Sequence, residues 1–136
     1  RFGVDIWGSF IFDPVWGQED FTALIDYVRF LKISFPQFTV LTPLPGTDFF
    51  EQRYDELLTH KYDHFDFFHS VLPTKLPLRE FYVNMARLYA NTSMSLSELK
   101  NRIRRGDIPS GSLKRVRGML SQLTNPDAYL RGAETP

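Results

Sequence analysis

The chain contains no cysteine. That absence excludes disulfides, Cys-ligated zinc, thiolate nucleophiles and Cys-bound iron–sulfur clusters within these 136 residues. No apolar run approaches the roughly 20 residues that a membrane span needs. The start, Arg1-Phe2-Gly3-Val4, has neither Met nor the layout of a signal peptide. It enters strand-like sequence almost at once, so the expectation is a segment cut from a larger protein. Net charge is lacking as well, with 16 basic and 16 acidic side chains. Their distribution is uneven: residues 1–98 carry 8 basic and 13 acidic groups, and residues 99–136 carry 8 and 3. The body and the tail therefore present differently charged surfaces.

What the chain does have is aromatic mass: 13 Phe, 6 Tyr and 2 Trp, enough for a real core in a single domain. Val4 to Phe12 is rich in branched and aromatic residues and ends in the turn signal Asp13-Pro14, which predicts a strand. From Gln18 to Lys32, Phe21, Leu24, Ile25, Val28 and Leu31 recur at helical spacing. Glu19 and Asp20 stand in the first turn, where the macrodipole favours them. Phe35 to Val40 reads as a second strand. Strand, helix, strand is one βαβ unit, whose strands are expected to be parallel with a right-handed crossover. Two parallel strands need cover on both faces, so further strands are expected to be missing.

The chain pivots on Leu41-Thr42-Pro43-Leu44-Pro45-Gly46-Thr47. The prolines remove donors and fix φ, Gly46 permits a positive φ, and Thr47 stands where a helix N-cap is wanted. A helix is expected from Asp48 to about Leu58. In α/β folds such a strand-to-helix turn lies where ligands bind, although a plain connector has the same chemistry. His60 to Leu72 is either a strand or an irregular aromatic-packed segment. Leu78 to Tyr89 is a helix with Phe81, Tyr82, Met85, Leu88 and Tyr89 on one face. Ser95 with Glu98 forms a capping-box pattern ahead of Leu99 and Ile103. After a break from Gly106 to Gly111, Leu113, Val116, Leu120 and Leu123 make another helical stripe. Asn125-Pro126 starts a last turn, with fraying expected from Gly132.

Phe10-Ile11-Phe12-Asp13-Pro14, then Glu19-Asp20-Phe21, then Phe35 through Thr47 resemble the last third of a radical S-adenosylmethionine (SAM) barrel. Tyr62-Asp63-His64-Phe65-Asp66-Phe67-Phe68-His69 and Val71 through Leu78 resemble the post-barrel segment of the same enzymes. The likeness is to the cobalamin-binding subclass, which includes hopanoid methylases and the anaerobic magnesium-protoporphyrin monomethyl ester cyclase, and it covers residues 3–92.

The resemblance implies an α/β fold. Residues 1–58 are the last strands of a parallel (β/α) barrel, and residues 59–136 are a mainly helical extension. It implies a parent enzyme with a [4Fe–4S] cluster on a CxxxCxxC loop. That cluster cleaves SAM to a 5′-deoxyadenosyl radical, and cobalamin carries the methyl group, for C-methylation or oxidative cyclisation. This chain has no such loop, so it is expected to bind no cofactor and to be inactive by itself. It also implies that Phe10, Phe12, Asp13 and Pro14 stand beside the adenosyl group, and Thr42, Pro43, Leu44, Pro45, Gly46 and Thr47 near the adenine. Many members carry Gly where Phe12 or Asp13 stands. Phe10 and Phe12 project to the same side, toward the barrel interior or adenine, or as ordinary core residues.

His60 and His64 are four apart, with Asp63, Asp66 and His69 nearby; they are either a metal site or polar side chains at a surface or an interface. Arg102, Arg104, Arg105, Lys114, Arg115 and Arg117 form two basic clusters around the Gly106–Gly111 break. They are either a solvated face or a contact for acidic lipid. This supports an alternative reading, a non-catalytic module that docks on acidic lipid or a partner protein. No nucleic-acid module is recognised, and no Ser/His/Asp nucleophile elbow exists. The expected partners are the remainder of the parent chain and, through open strand edges, a second copy. The expected location is cytoplasmic, with contact to a membrane surface.

Overall fold

The computed structural model describes residues 6–94, 96–107, 109 and 112–133. It is a mixed α/β structure built on a two-stranded parallel sheet, β1 (Trp7–Phe12) and β2 (Phe35–Val40), with Trp7 opposite Phe35 and Phe12 opposite Val40. Helix α1 (Gln18–Leu31) joins the strands. Asp20 Oδ2 accepts the Gly17 N–H at 2.8 Å at its start, and Lys32 closes it in the left-handed region at φ 52°. The βαβ unit expected from periodicity is present, with its strands parallel.

Phe21, Ile25 and Val28 make the buried stripe of α1. They meet the sheet face formed by Phe10, Phe12, Phe38 and Val40, and beyond it α3 (Leu78–Thr92), which packs on both α1 and β2. Where sheet, α1 and α3 converge, the rings of Phe12, Phe21 and Phe81 lie 5.4–5.7 Å apart in edge and tilted contacts. Such ring pairs add to the area they bury. Gly8 lies on the same sheet face because a Cβ there would stand 2.8 Å from Ile33 Cδ1.

Two expected elements differ in extent. The helix expected from Asp48 to Leu58 is a single turn, α2 (Asp48–Gln52), followed by a 3-10 turn at Tyr54–Glu56. Arg53 leaves helical geometry at φ −108°, ψ 8°, and no residue of α2 is buried to hold a longer helix. The segment from His60 to Leu72 is irregular, with one 3-10 turn at Tyr62–His64. Helix α3 runs three residues past Tyr89. The tail forms α4 (Leu96–Arg105), α5 (Ser112–Leu123) and α6 (Pro126–Ala133), where Asn125 Oδ1 accepts the Asp127 N–H at 3.1 Å. Ser95, from the expected capping box, lies outside the described residues, as do Val4 and the last three positions.

Candidate functional site

Both strands end on one rim. Leu41 N–H donates to the Phe12 carbonyl at 2.8 Å, so the loops after β1 and β2 leave side by side. Asp13 shapes the first loop: its Oδ1 accepts the Val15 N–H and its carbonyl the Trp16 N–H, both at 3.0 Å. The Pro14 carbonyl accepts the Lys75 N–H at 3.0 Å, which ties the proline-bracketed loop to the rim.

In the second loop the Thr42 hydroxyl donates to the Val40 carbonyl at 3.0 Å and is buried with Pro43. Thr47 N–H donates to the Leu44 carbonyl at 3.1 Å, with Pro45 second and Gly46 third in the turn. Gly46 has φ 84°, the value that makes glycine necessary there. The Thr47 hydroxyl donates to the Leu44 carbonyl at 2.7 Å and accepts the Phe50 N–H at 3.2 Å, so Thr47 is the N-cap of α2.

The ten residues singled out from the sequence divide by burial. Leu44, Pro45, Gly46 and Thr47 are exposed at the tip, and Asp13 is half-buried. Thr42, Pro43 and Pro14 are buried beneath them. Phe12 is fully enclosed among Trp16, Phe21 and Phe81, and Phe10 packs on Tyr27 and Phe38. Both rings face the helices. The opposite sheet face carries Trp7, Ser9 and Ile11 on β1 and Gln37 and Thr39 on β2, with Trp7 71% and Ile11 64% exposed. Trp7 Nε1–H donates to Gln37 Oε1 across it at 3.3 Å. The period-two alternation that put Phe10 and Phe12 on one side already placed Ser9 and Ile11 on the other.

The sheet's two edges differ as well. Phe35 and Leu41 donate to β1, so Phe38 and Val40 turn their backbone groups outward. The Tyr89 hydroxyl accepts the Phe38 N–H at 3.2 Å and donates to the Phe38 carbonyl at 2.9 Å. The Phe67 carbonyl, at a residue with φ 67°, accepts the Val40 N–H at 2.8 Å. Pro36 has no N–H to satisfy. On β1 the same alternation turns Trp7, Ser9 and Ile11 outward, and their backbone groups have no hydrogen-bond partner among the described residues.

Asp66 fastens the segment that seals β2. Its Oδ1 accepts the Phe68 and His69 N–H groups at 2.9 Å, and its Oδ2 meets His69 Nδ1 at 2.8 Å. Burial acts to raise its pKa, but the His69 and Phe68 amides and the His69 ring outweigh it and hold the carboxyl below its ordinary value. Burial pushes the Tyr89 hydroxyl up, partly offset by the Phe38 N–H. The histidines weighed as metal ligands part company: His64 stacks on His69 at 5.3 Å, and His60 lies against Tyr54. Among the described residues no group of three or more His, Asp or Glu converges as a metal site. No helix among them is long and apolar enough to cross a membrane.

Comparison with known proteins turns on two relatives. Hopanoid C-3 methylase of Methylococcus capsulatus is 35% identical over 85 residues, 62% of this chain and 16% of the relative. Bacteriochlorophyllide d C-12(1)-methyltransferase of Chlorobaculum tepidum is 33% identical over 72 residues, 52% of this chain and 16% of the relative. The chain is a partial homologue of these two methylating enzymes. The hopanoid methylase likeness drawn from the residues stands on that finding. The matched part is about 16% of the length of either relative. No family model matches the chain, and no solved structure does.

Proposed function

We propose that residues 1–58 are the last strands of a parallel (β/α) radical SAM barrel and residues 59–136 its mainly helical extension. The parent would be a cobalamin-dependent enzyme that methylates an unactivated carbon or cyclises it oxidatively. The observation that carries this reading is a parallel pair with a common rim, one edge and one face finished, and the other edge and face open. A preceding strand on β1 would satisfy Trp7, Ser9 and Ile11, and the open face would become the barrel interior.

The residues fit the implied cofactors unequally. A chain without cysteine offers an iron–sulfur cluster no thiolate ligand, so in this reading the segment by itself cleaves no SAM. A SAM wall fits better: a Cβ added at Gly46 would meet nothing within 4 Å, and the tip around it is exposed. In this reading Asp13 and Leu44 to Thr47 border the nucleoside, while Phe10, Phe12, Pro14, Thr42 and Pro43 hold the rim from below. Ser9, Gln37 and Thr39 face the substrate side. SAM supplies the radical chemistry when bound; these residues orient it and exclude water.

Anaerobic reconstitution of the full-length polypeptide with iron and sulfide tests this. SAM cleavage to 5′-deoxyadenosine is the expected result. A reconstituted cluster that leaves SAM intact contradicts it.

A further inference from the structure

An apolar cavity of about 360 Å³ lies at the opposite end of the strands from the rim. It opens between the starts of β1 and β2 and the tail helices, lined by Trp7, Phe35, Leu99, Val116, Leu120 and Leu123 among others. That volume falls in the lower part of the small-molecule range, roughly 300–1,000 Å³, yet the polar groups that orient a polar ligand are almost missing. Met119 and Trp7 both line the cavity and are 54% and 71% exposed, so it opens to solvent along α5 and at the start of β1.

The same helices carry the chain's basic surface. Between residues 99 and 123 stand seven Lys and Arg and one acidic residue, Asp107. Lys100, Arg104, Arg105, Lys114, Arg115 and Arg117 are all exposed. On α5, at 3.6 residues per turn, Arg115 and Arg117 fall about 100° to either side of Val116 and so flank the apolar stripe. Arg102 lies over the Phe35 ring at 5.6 Å, at the cavity wall. Cations flanking an apolar stripe, with their stems along it, are the pattern of a helix that lies in a membrane interface. Here the stripe encloses a cavity instead of only a flat face.

We infer that α4 and α5 bind an anionic phospholipid, with its headgroup among these cations and part of one acyl chain in the cavity. Each half supplies what the other lacks, since one apolar insertion or one polybasic patch alone gives marginal, reversible binding. The cavity shares Trp7 and Gln37 with the sheet face that the barrel reading turns inward, while the cations that would hold the headgroup stand on α4 and α5 and belong to neither strand.

Vesicle flotation of the full chain tests it. Phosphatidylglycerol vesicles should retain the chain at least about tenfold better than phosphatidylcholine vesicles. Arg115→Glu with Arg117→Glu should lower that retention at least about 30-fold, at roughly fivefold per cation near the surface. Met119→Asp, at an exposed position that leaves the core intact, should lower it about tenfold. In a Trp16→Phe background, brominated acyl chains should quench Trp7. Equal binding to both vesicles overturns the headgroup assignment. Full binding by Met119→Asp with Trp7 unquenched overturns the cavity assignment, and binding to neither vesicle overturns both.

Discussion

The two edges of one small sheet are treated differently by the same chain. On β2, a phenol from α3 and a carbonyl from the irregular segment take the outward backbone groups, and Pro36 has no donor to leave over. On β1, the outward backbone groups of three residues have no partner among the described residues, and Trp7 and Ile11 are exposed. Helix α1 repeats the contrast. Phe21, Ile25 and Val28 are buried, while Tyr27 and Phe30, on another face, are 52% and 81% exposed. Unpaired edges invite pairing, and proteins close the ones that are meant to stay at the boundary. The β2 side is finished as a boundary. Among the described residues the β1 side is open, and strand edge, sheet face and helix lack cover together; the proposed barrel would cover all three with one βα unit.

The faces differ most in energy. Phe12→Ala should cost about 3–5 kcal/mol, because it empties the contact of β1 with α1 and α3. Ile11→Ala, one residue along and 64% exposed, should change stability by less than about 0.5 kcal/mol in this chain. Thermal unfolding of the two variants measures the difference, and equal losses would mean that the Ile11 face is covered.

Tyr89→Phe probes the sealed edge with a smaller effect. It removes one oxygen and leaves the Phe38 N–H and carbonyl without partners, at about 1–3 kcal/mol. It also opens β2, so light scattering should detect self-association in the variant through that edge. An unchanged melting temperature would show that the hydroxyl is not sealing the strand.

Asp66 gives the smallest effect and the one that depends on pH. Its folded pKa lies below the reference value of 3.8, so the stability it adds is present above about pH 4 and is lost as pH falls through the folded value. The carboxylate is 38% exposed, so screening limits the gain to about 1 kcal/mol. Asp66→Asn should flatten the acid limb of the stability–pH curve and speed exchange of the Val40 amide. An acid limb identical to the parent's would remove Asp66 from the seal.

Local pattern carried much of this fold. The bounds of β2 and the start of α1 come from period and turn chemistry, and the Pro45-Gly46-Thr47 turn makes the bonds its residues demand. What escaped was set by distance in sequence. Tyr89 seals a strand 51 residues away, and nothing in its own helix announces this. Alternation could say that Phe10 and Phe12 share a side, but which side is the core depended on where α1 and α3 pack. The helix expected to reach Leu58 ends at Gln52 because no residue of α2 is buried, so packing does not hold a second turn. At the candidate site, the tip from Leu44 to Thr47 was legible, while Ser9, Gln37 and Thr39 were hidden by being small or polar between aromatic residues.

Amide hydrogen exchange in the full-length polypeptide tests the unfinished edge most directly. If a preceding strand pairs with β1, the Ser9 and Ile11 amides should be protected as strongly as those of Phe38 and Val40. Fast exchange at Ser9 and Ile11 beside slow exchange at Phe38 and Val40 would show that β1 is a true edge and that no barrel continues from it.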